Sequence, residues 1–427
     1  MKRLPKRMYL DLSVDAEIAL ISGARSAAPV KGLTHGYYKY PARFSPEFVR
    51  AAIEAFTDVG DVCLDPHVGG GTTLVEALAL GRNAIGVDIS TLAEFVTSTK
   101  TTVFSPLEIL RLKAWTARVK AAVDIRKSSS RSAAYEELGY YKHLDHPSRW
   151  RLSKAIDQAL ASADRLSAAS LVAFARCAVL RTAQWALDGR KHLPTIEEFR
   201  TVLSATATEM IIGAEALIVA VTVSGVAQPK ITVLNRSAAG MEDDDRLKGW
   251  SQPKLVLTSP PYPGVHVLYH RWQVDGRKEA PLPFMIANKL DGAGSSFYTM
   301  GDRKYPELKT YFDNVRSTFA STAALAGEDT VIVQMLAFSQ PEWQLDRYLA
   351  TMEEAGLTEV FLKSLSCCDD GRLWRQVPGR RWYSDQRGVT PGSQEVVLFH
   401  RRRQGQARPM TYDRMQQSEP LVEQRAN

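Results

Sequence analysis

A short apolar strand that ends on an acid, enters three consecutive glycines and continues as a helix leaves a chain few folds to choose from. Asp61-Val-Cys-Leu-Asp65 reads as that strand. His67-Val-Gly-Gly-Gly-Thr-Thr73 is the loop, and a helix follows from about Thr72 to Leu80, stopped by Gly81. Asn83-Ala-Ile-Gly-Val-Asp88 is a second apolar strand with an acid at its end. Strand, glycine turn, helix and strand make a parallel βαβ unit with a right-handed crossover. Further strand signals stand at 230–234, 254–258, 330–335, 358–362 and 395–400, with a helix over 343–354 before the fourth of them. The fold class implied is α/β, with a mostly parallel sheet.

The glycine loop also limits the ligand. Glycines at a strand-to-helix turn let the backbone come close to a bound molecule. A dinucleotide site favours G-x-G-x-x-G, but Leu74 stands at the third glycine position and no phosphate-binding lysine follows. A ligand with an amino-acid part and no phosphate suits this turn, and S-adenosylmethionine is such a ligand. Asp65 is placed to hold its ammonium, directly or through water. Asp88, at the end of the next strand, is placed to accept from both ribose hydroxyls. The bland alternatives are a structural turn for the glycines and a helix N-cap for Asp88.

A second motif, Thr258-Ser-Pro-Pro-Tyr262, ends a strand at the carboxyl edge of the sheet, where open α/β proteins bind ligands. Two prolines fix the backbone and remove two donors. The Ser259 and Pro260 carbonyls are then free to accept from an amino group on a flat aromatic ring. Tyr262 offers a face on which a base can stack after leaving its helix. A plain proline-kinked loop is the alternative.

Composition restricts partners only loosely. Lys and Arg number 54 against 47 Asp and Glu, a formal net charge of +7. Such an excess fits a polyanion and equally fits a basic protein without one. Cys63, Cys177, Cys367 and Cys368 show no metal spacing, so no metal is expected, and reduced thiols suit a cytoplasmic protein. No apolar core follows basic Met1–Arg7, and no run of about 18 apolar residues is apparent, so neither a signal peptide nor a membrane span is expected.

Asp65-Pro-x-x-Gly-x-Gly-Thr-Thr73 followed by Ser259-Pro-Pro-Tyr262 resembles the amino-methylating DNA methyltransferases. Serine before Pro-Pro-Tyr is more typical of cytosine N4 than of adenine N6 enzymes in that family. The resemblance covers roughly residues 35–100 and 228–400. It implies a Rossmann-like sheet of seven strands, the last antiparallel, and S-adenosylmethionine as cofactor. Tyr40-Pro-Ala-Arg-Phe44 is similar to the family's N-terminal cofactor motif, which implies that Phe44 and Pro46 line the methionine part. The cofactor set is then Phe44, Pro46, Asp65, Pro66, Gly69, Gly70, Gly71, Thr72, Thr73 and Asp88, and the catalytic set Ser259, Pro260, Pro261 and Tyr262. Two departures stand out: His67 replaces a common Phe, and Asn235-Arg236 replaces an acid near the adenine.

The expected organisation has five parts. Residues 1–34 form an N-terminal extension and 35–100 the cofactor-binding half. Residues 101–227, rich in Ala, Arg, Leu and Ser, form a helical insertion fit for target recognition or for bracing, with Arg151–Leu187 and Thr195–Val221 its clearest helices. Residues 228–403 form the catalytic half with Arg-rich loops, and 404–427 a flexible tail. His266, His270 and Arg271 after the catalytic loop, and Arg375, Arg380, Arg381 and Trp382 further on, are candidate nucleic-acid contacts. A solvated basic edge is the alternative for the arginines, and acidic Glu242–Asp245 reads as a solvated loop.

These readings converge on a site-specific methyltransferase acting on the exocyclic amino nitrogen of a flipped base in double-stranded DNA. Cytosine N4 is favoured over adenine N6, in restriction-modification or phage defence, with a restriction or defence protein as a potential partner. The rivals are an RNA or tRNA base methyltransferase, for which no RNA-binding module is visible, and a non-catalytic DNA-binding subunit. An intact Ser-Pro-Pro-Tyr argues against the latter. No covalent intermediate is needed, and the Pro-Cys of a cytosine C5 enzyme is absent.

Overall fold

The computed structural model describes residues 7–40, 44–144, 146–263, 271–274, 278–292, 298, 300–301, 307–376 and 394–403. The central sheet contains β1 (Val62–Asp65), β2 (Asn83–Asp88), β3 (Ile231–Asn235) and β4 (Leu255–Thr258). A separate hairpin is formed by β5 (Trp272–Val274) and β6 (Lys278–Ala280). The sheet continues with β7 (Val331–Leu336), β8 (Leu357–Val360), β9 (Leu373–Gln376) and β10 (Gln394–Arg402). Its order is β3-β2-β1-β4-β7-β10-β8, with β9 pairing β10 off that path. β3, β2, β1, β4 and β7 are parallel, and β10 runs antiparallel to β7, β8 and β9. The α/β expectation with an antiparallel last strand is borne out, and β9 adds an eighth strand that its short sequence, Leu-Trp-Arg-Gln, did not announce.

Both sheet faces are covered, so the strands are apolar on both sides. Val62 and Leu64 face one core with Val256 and Leu398, while Cys63, Leu255 and Leu257 face the other. The second core is closed by α1 (Val14–Arg25) and α2 (Pro46–Phe56), through Leu20, Phe48, Val49 and Ile53. Pro46 sits in the first turn of α2, after Ser45 at the N-cap. The first core is closed by α11 (Lys309–Leu325) and α12 (Pro341–Glu354), through Val315, Phe319, Tyr348 and Met352. Crossovers leave β1 toward β2 and β4 toward β7, in opposite directions. Between β1 and β4 the sheet therefore has its switch point, and a crevice opens at their carboxyl ends.

α3 (Thr72–Ala79) links β1 to β2, and α4 (Thr91–Lys100) follows β2. Between α4 and β3 lie α5 (Pro106–Ala122), α6 (Ala133–Glu137), α7 (Trp150–Ala163), α8 (Ala169–Leu187) and α9 (Ile196–Val223). Arg151–Leu187 is thus two helices rather than one. The chain turns after Ala163, and Arg176 on α8 forks onto Asp164 with two bonds of 2.7 Å. These helices share a core that also takes in Trp272, Val274, Leu282 and Phe284, from the β5–β6 hairpin and α10 (Leu282–Ala287). Trp272 donates to the Tyr38 hydroxyl at 2.9 Å inside that core.

α9 is long and apolar enough to cross a membrane by length and composition. Glu209 and Glu215 interrupt its apolar run. Its Phe199, Leu203, Met210, Ile211 and Leu217 are buried, and the helix packs against α5 and α8.

Candidate functional site

A cavity of about 330 Å3 occupies the switch-point crevice. That is within the range of small-molecule pockets. Its walls bring together residues distant in sequence. Phe44, Asp65, Pro66, Gly69, Gly70, Thr72 and Asp88 line it, and so do Ser259, Pro260, Pro261 and Tyr262. Pro46, Gly71 and Thr73 do not line it, but the latter two shape what does.

The glycine loop is held from several sides. Gly71 adopts φ +76° at the N-cap of α3, and a Cβ there would stand 2.7 Å from the Thr97 hydroxyl. Only glycine fits that backbone in that space. The Gly69 amide donates to Asp88 Oδ2 at 2.9 Å. From α4, Thr97 donates to the Gly69 carbonyl at 3.2 Å, and the Lys100 Nζ donates to the Gly70 carbonyl at 2.6 Å. Lys100 is fully buried. Sequence reasoning missed it because a lysine ending an amphipathic helix reads as a solvated C-terminal charge. Lys100→Met should weaken binding of the cavity's ligand by about tenfold, since it strands a buried carbonyl. Calorimetry on the purified variant reads this directly.

The acids sit as expected, with their ordinary chemistry altered. Asp65 Oδ2 accepts from the Thr73 hydroxyl at 2.8 Å, and Oδ1 from the His67 amide at 3.1 Å. Burial outweighs these bonds and pushes its carboxyl up to about 7. Asp88 Oδ1 accepts from the Ser90 amide at 2.8 Å. Partly open to the cavity, it is raised by burial to about 6. Two carboxylates short of compensating positive charge suit a ligand that brings a cation or several donors. Arg236 also lines the cavity but is committed to Asp244 at 3.0 Å. Asp244 additionally holds Arg246 at 2.7 Å, and these arginines hold its carboxyl well below the usual range. The acidic stretch 242–245 is therefore in part an ion-pair anchor rather than only a solvated loop.

The Ser-Pro-Pro-Tyr turn is locked. Tyr311 donates to the Pro261 carbonyl at 2.7 Å. Among the described residues, neither the Ser259 nor the Pro260 carbonyl is bonded, which leaves both as acceptors. Tyr262 is buried and donates to Glu395 Oε1 at 2.6 Å, while the Ser259 hydroxyl lies 3.4 Å from the Tyr262 oxygen. Sequence reasoning also missed Glu395, a lone acid at the start of an apolar strand.

The nucleic-acid candidates divide. Arg375 is a correction: Nε and Nη2 bind Glu395 at 2.6 Å, Nη1 bonds the Ala24 carbonyl at 3.0 Å, and the side chain is buried. A guanidinium so placed cannot reach a phosphate. Arg271 binds Asp291 at 2.7 Å and keeps about a third of its side chain exposed. His266, His270, Arg380, Arg381 and Trp382 lie outside the described residues.

A family model described as DNA methylase matches residues 23–97. The type II methyltransferase M.MjaII of Methanocaldococcus jannaschii is 43% identical over 56 residues, 13% of this chain and 11% of that one. The type II methyltransferase M.MvaI of Kocuria varians is 38% identical over 84 residues, 19% of this chain and 18% of that one. The matches thus span less than a fifth of either relative's length. Among solved structures, the rRNA methyltransferase aviRa from Streptomyces viridochromogenes is 12% identical, covers 89% of this chain and 96% of that one, and has a TM-score of 0.31. That score is too low to bear on substrate.

Proposed function

We propose that this chain, whose residues 23–97 match a family model described as DNA methylase, methylates an exocyclic amino nitrogen of a base in duplex DNA, cytosine N4 before adenine N6. The observation that carries the reading is one cavity lined both by Asp65, Gly69, Gly70 and Asp88 and by Ser259–Tyr262. The two motifs lie 186 positions apart, from Thr73 to Ser259, yet face the same space.

The residues present fit S-adenosylmethionine. Asp65 and Asp88 are buried or half-buried acids suited to a ligand with an ammonium and hydroxyls, and among the described residues no lysine lines the cavity. Asp65 would hold the ammonium, Asp88 the ribose, and Phe44 the wall beside them. When bound, the cofactor supplies a methyl group on a positively charged sulfur. The chain's own task is positioning and exclusion of water. The Ser259 and Pro260 carbonyls hold the amino group of an extruded base. Tyr262, fixed through its hydroxyl, presents its ring. Serine in this motif favours cytosine, and a role in restriction-modification or phage defence is part of the proposal.

Cofactor binding should depend on pH. A carboxylate raised to about 7 stays protonated in the empty site at lower pH, and only the ionised form attracts an ammonium. The empty protein therefore loses stability as pH rises from about 4 through about 7, and a bound cation offsets that loss. Affinity for S-adenosylmethionine should rise by about tenfold between pH 5.5 and 7.5, as read by calorimetry. A flat profile would remove Asp65 from the ammonium site. The base is tested by incubating the protein with unmethylated duplex DNA and digesting to nucleosides. N4-methylcytosine is expected, and N6-methyladenine would reassign the base.

A further inference from the structure

His67 lines the cavity beside Asp65 and the Ser-Pro-Pro-Tyr turn, and its Nε2 is buried without a hydrogen-bond partner. A buried polar atom without a partner calls for an explanation, and at a cavity wall a bound ligand can supply the partner. The bonds around it fix what that ligand must offer. With a cation bound, Asp65 is ionised and can only accept, and the Thr258 hydroxyl is placed to donate to it. Thr258 therefore donates to Asp65, and its oxygen accepts from His67 Nδ1 at 3.2 Å. In that ligand-bound state the ring proton is on Nδ1, and Nε2 carries a bare lone pair. Burial pushes this imidazole down to about 3, so it stays neutral through the physiological range and acts as an acceptor rather than a base.

We propose that His67 is a ligand-binding residue of this pocket, whose Nε2 accepts a hydrogen bond from an N–H donor of the bound reactants. This rests on the reading of the cavity as the cofactor and base site. Two reactant groups carry that chemistry: the ammonium of the cofactor's amino-acid part, and the amino group of the base, one of whose two N–H bonds would then go to His67 in place of a turn carbonyl. Thr258, which orients the ring, directly precedes Ser259 and closes the strand that carries the catalytic turn. The same imidazole thus bridges the end of β1 to the end of β4, where both reactants meet.

His67→Phe keeps a ring of similar shape and removes the acceptor, and His67→Gln restores an acceptor oxygen. Calorimetry with S-adenosylhomocysteine, and with its analogue lacking the ammonium, separates the two sources. If the ammonium is the donor, His67→Phe binds S-adenosylhomocysteine about tenfold or more weakly, His67→Gln recovers part of the loss, and the deaminated analogue binds wild type and His67→Phe alike. If the base is the donor, cofactor affinities stay equal and KM for unmethylated duplex DNA rises about tenfold in His67→Phe. Equal affinities and equal KM across all three proteins would overturn the proposal while leaving the pocket's function intact. A wild-type protein that binds no S-adenosylhomocysteine would sink the reading of the cavity itself, and this proposal with it.

Discussion

Tyr262→Ala should lower methyl transfer by about a hundredfold or more, while affinity for S-adenosylmethionine changes by less than about threefold. Tyr262 lines the cavity, and its hydroxyl is tied to Glu395 at 2.6 Å. Its removal takes away a stacking face and frees the turn that aims the Ser259 and Pro260 carbonyls. Stacking alone is worth about 1–3 kcal/mol per base; misplacement of the amino group adds to it. Tyr262→Phe keeps the ring and loses the hydroxyl with its bonds to Glu395 and Ser259, so it should retain activity within about tenfold of wild type. Initial rates at saturating cofactor, with Kd measured separately, distinguish these effects. An active Tyr262→Ala would remove the loop from the chemistry.

Arg375→Ala should destabilise the protein by about 3–5 kcal/mol, because it leaves Glu395 as a buried charge without its cation. Both side chains of this pair are 7% exposed. The loss should appear as a lower unfolding midpoint in denaturant. A compensating Arg375→Met, Glu395→Leu double variant should recover most of it, since an apolar pair of similar volume needs no counter-charge. The salt dependence of DNA binding should not change in any variant at position 375. Arg380→Ala and Arg381→Ala, by contrast, should each weaken DNA binding and reduce its salt slope by about one if they contact phosphates. A normally stable Arg375→Ala with a reduced salt slope would restore Arg375 to the DNA surface.

Arg375 also shows where sequence reading stops. In the chain it is one of several arginines among aromatic residues, and nothing local separates it from Arg380 or Arg381. Its fate is decided by register: β9 places it directly opposite Glu395 on β10. Lys100 and Glu395 were illegible for the same reason, since their partners, the Gly70 carbonyl and Tyr262, are distant in sequence. The strands at Val62–Asp65, Asn83–Asp88 and Leu255–Thr258 were legible, because a strand buried on both faces is a continuous apolar run. The glycine loop was legible because a positive φ at Gly69 and Gly71 demands that residue type. The short hairpin of β5 and β6 was not, since three-residue strands carry too little periodicity to register.

The central claim is that one cavity joins a methyl donor to a DNA base. Its most direct test is transfer of labelled methyl from S-adenosylmethionine, with unmethylated duplex DNA and total RNA offered in parallel and Tyr262→Ala as control. Label in DNA alone, recovered as N4-methylcytosine and lost in Tyr262→Ala, is the predicted result. Label confined to RNA, or no label in either from a protein that binds the cofactor, would contradict the claim.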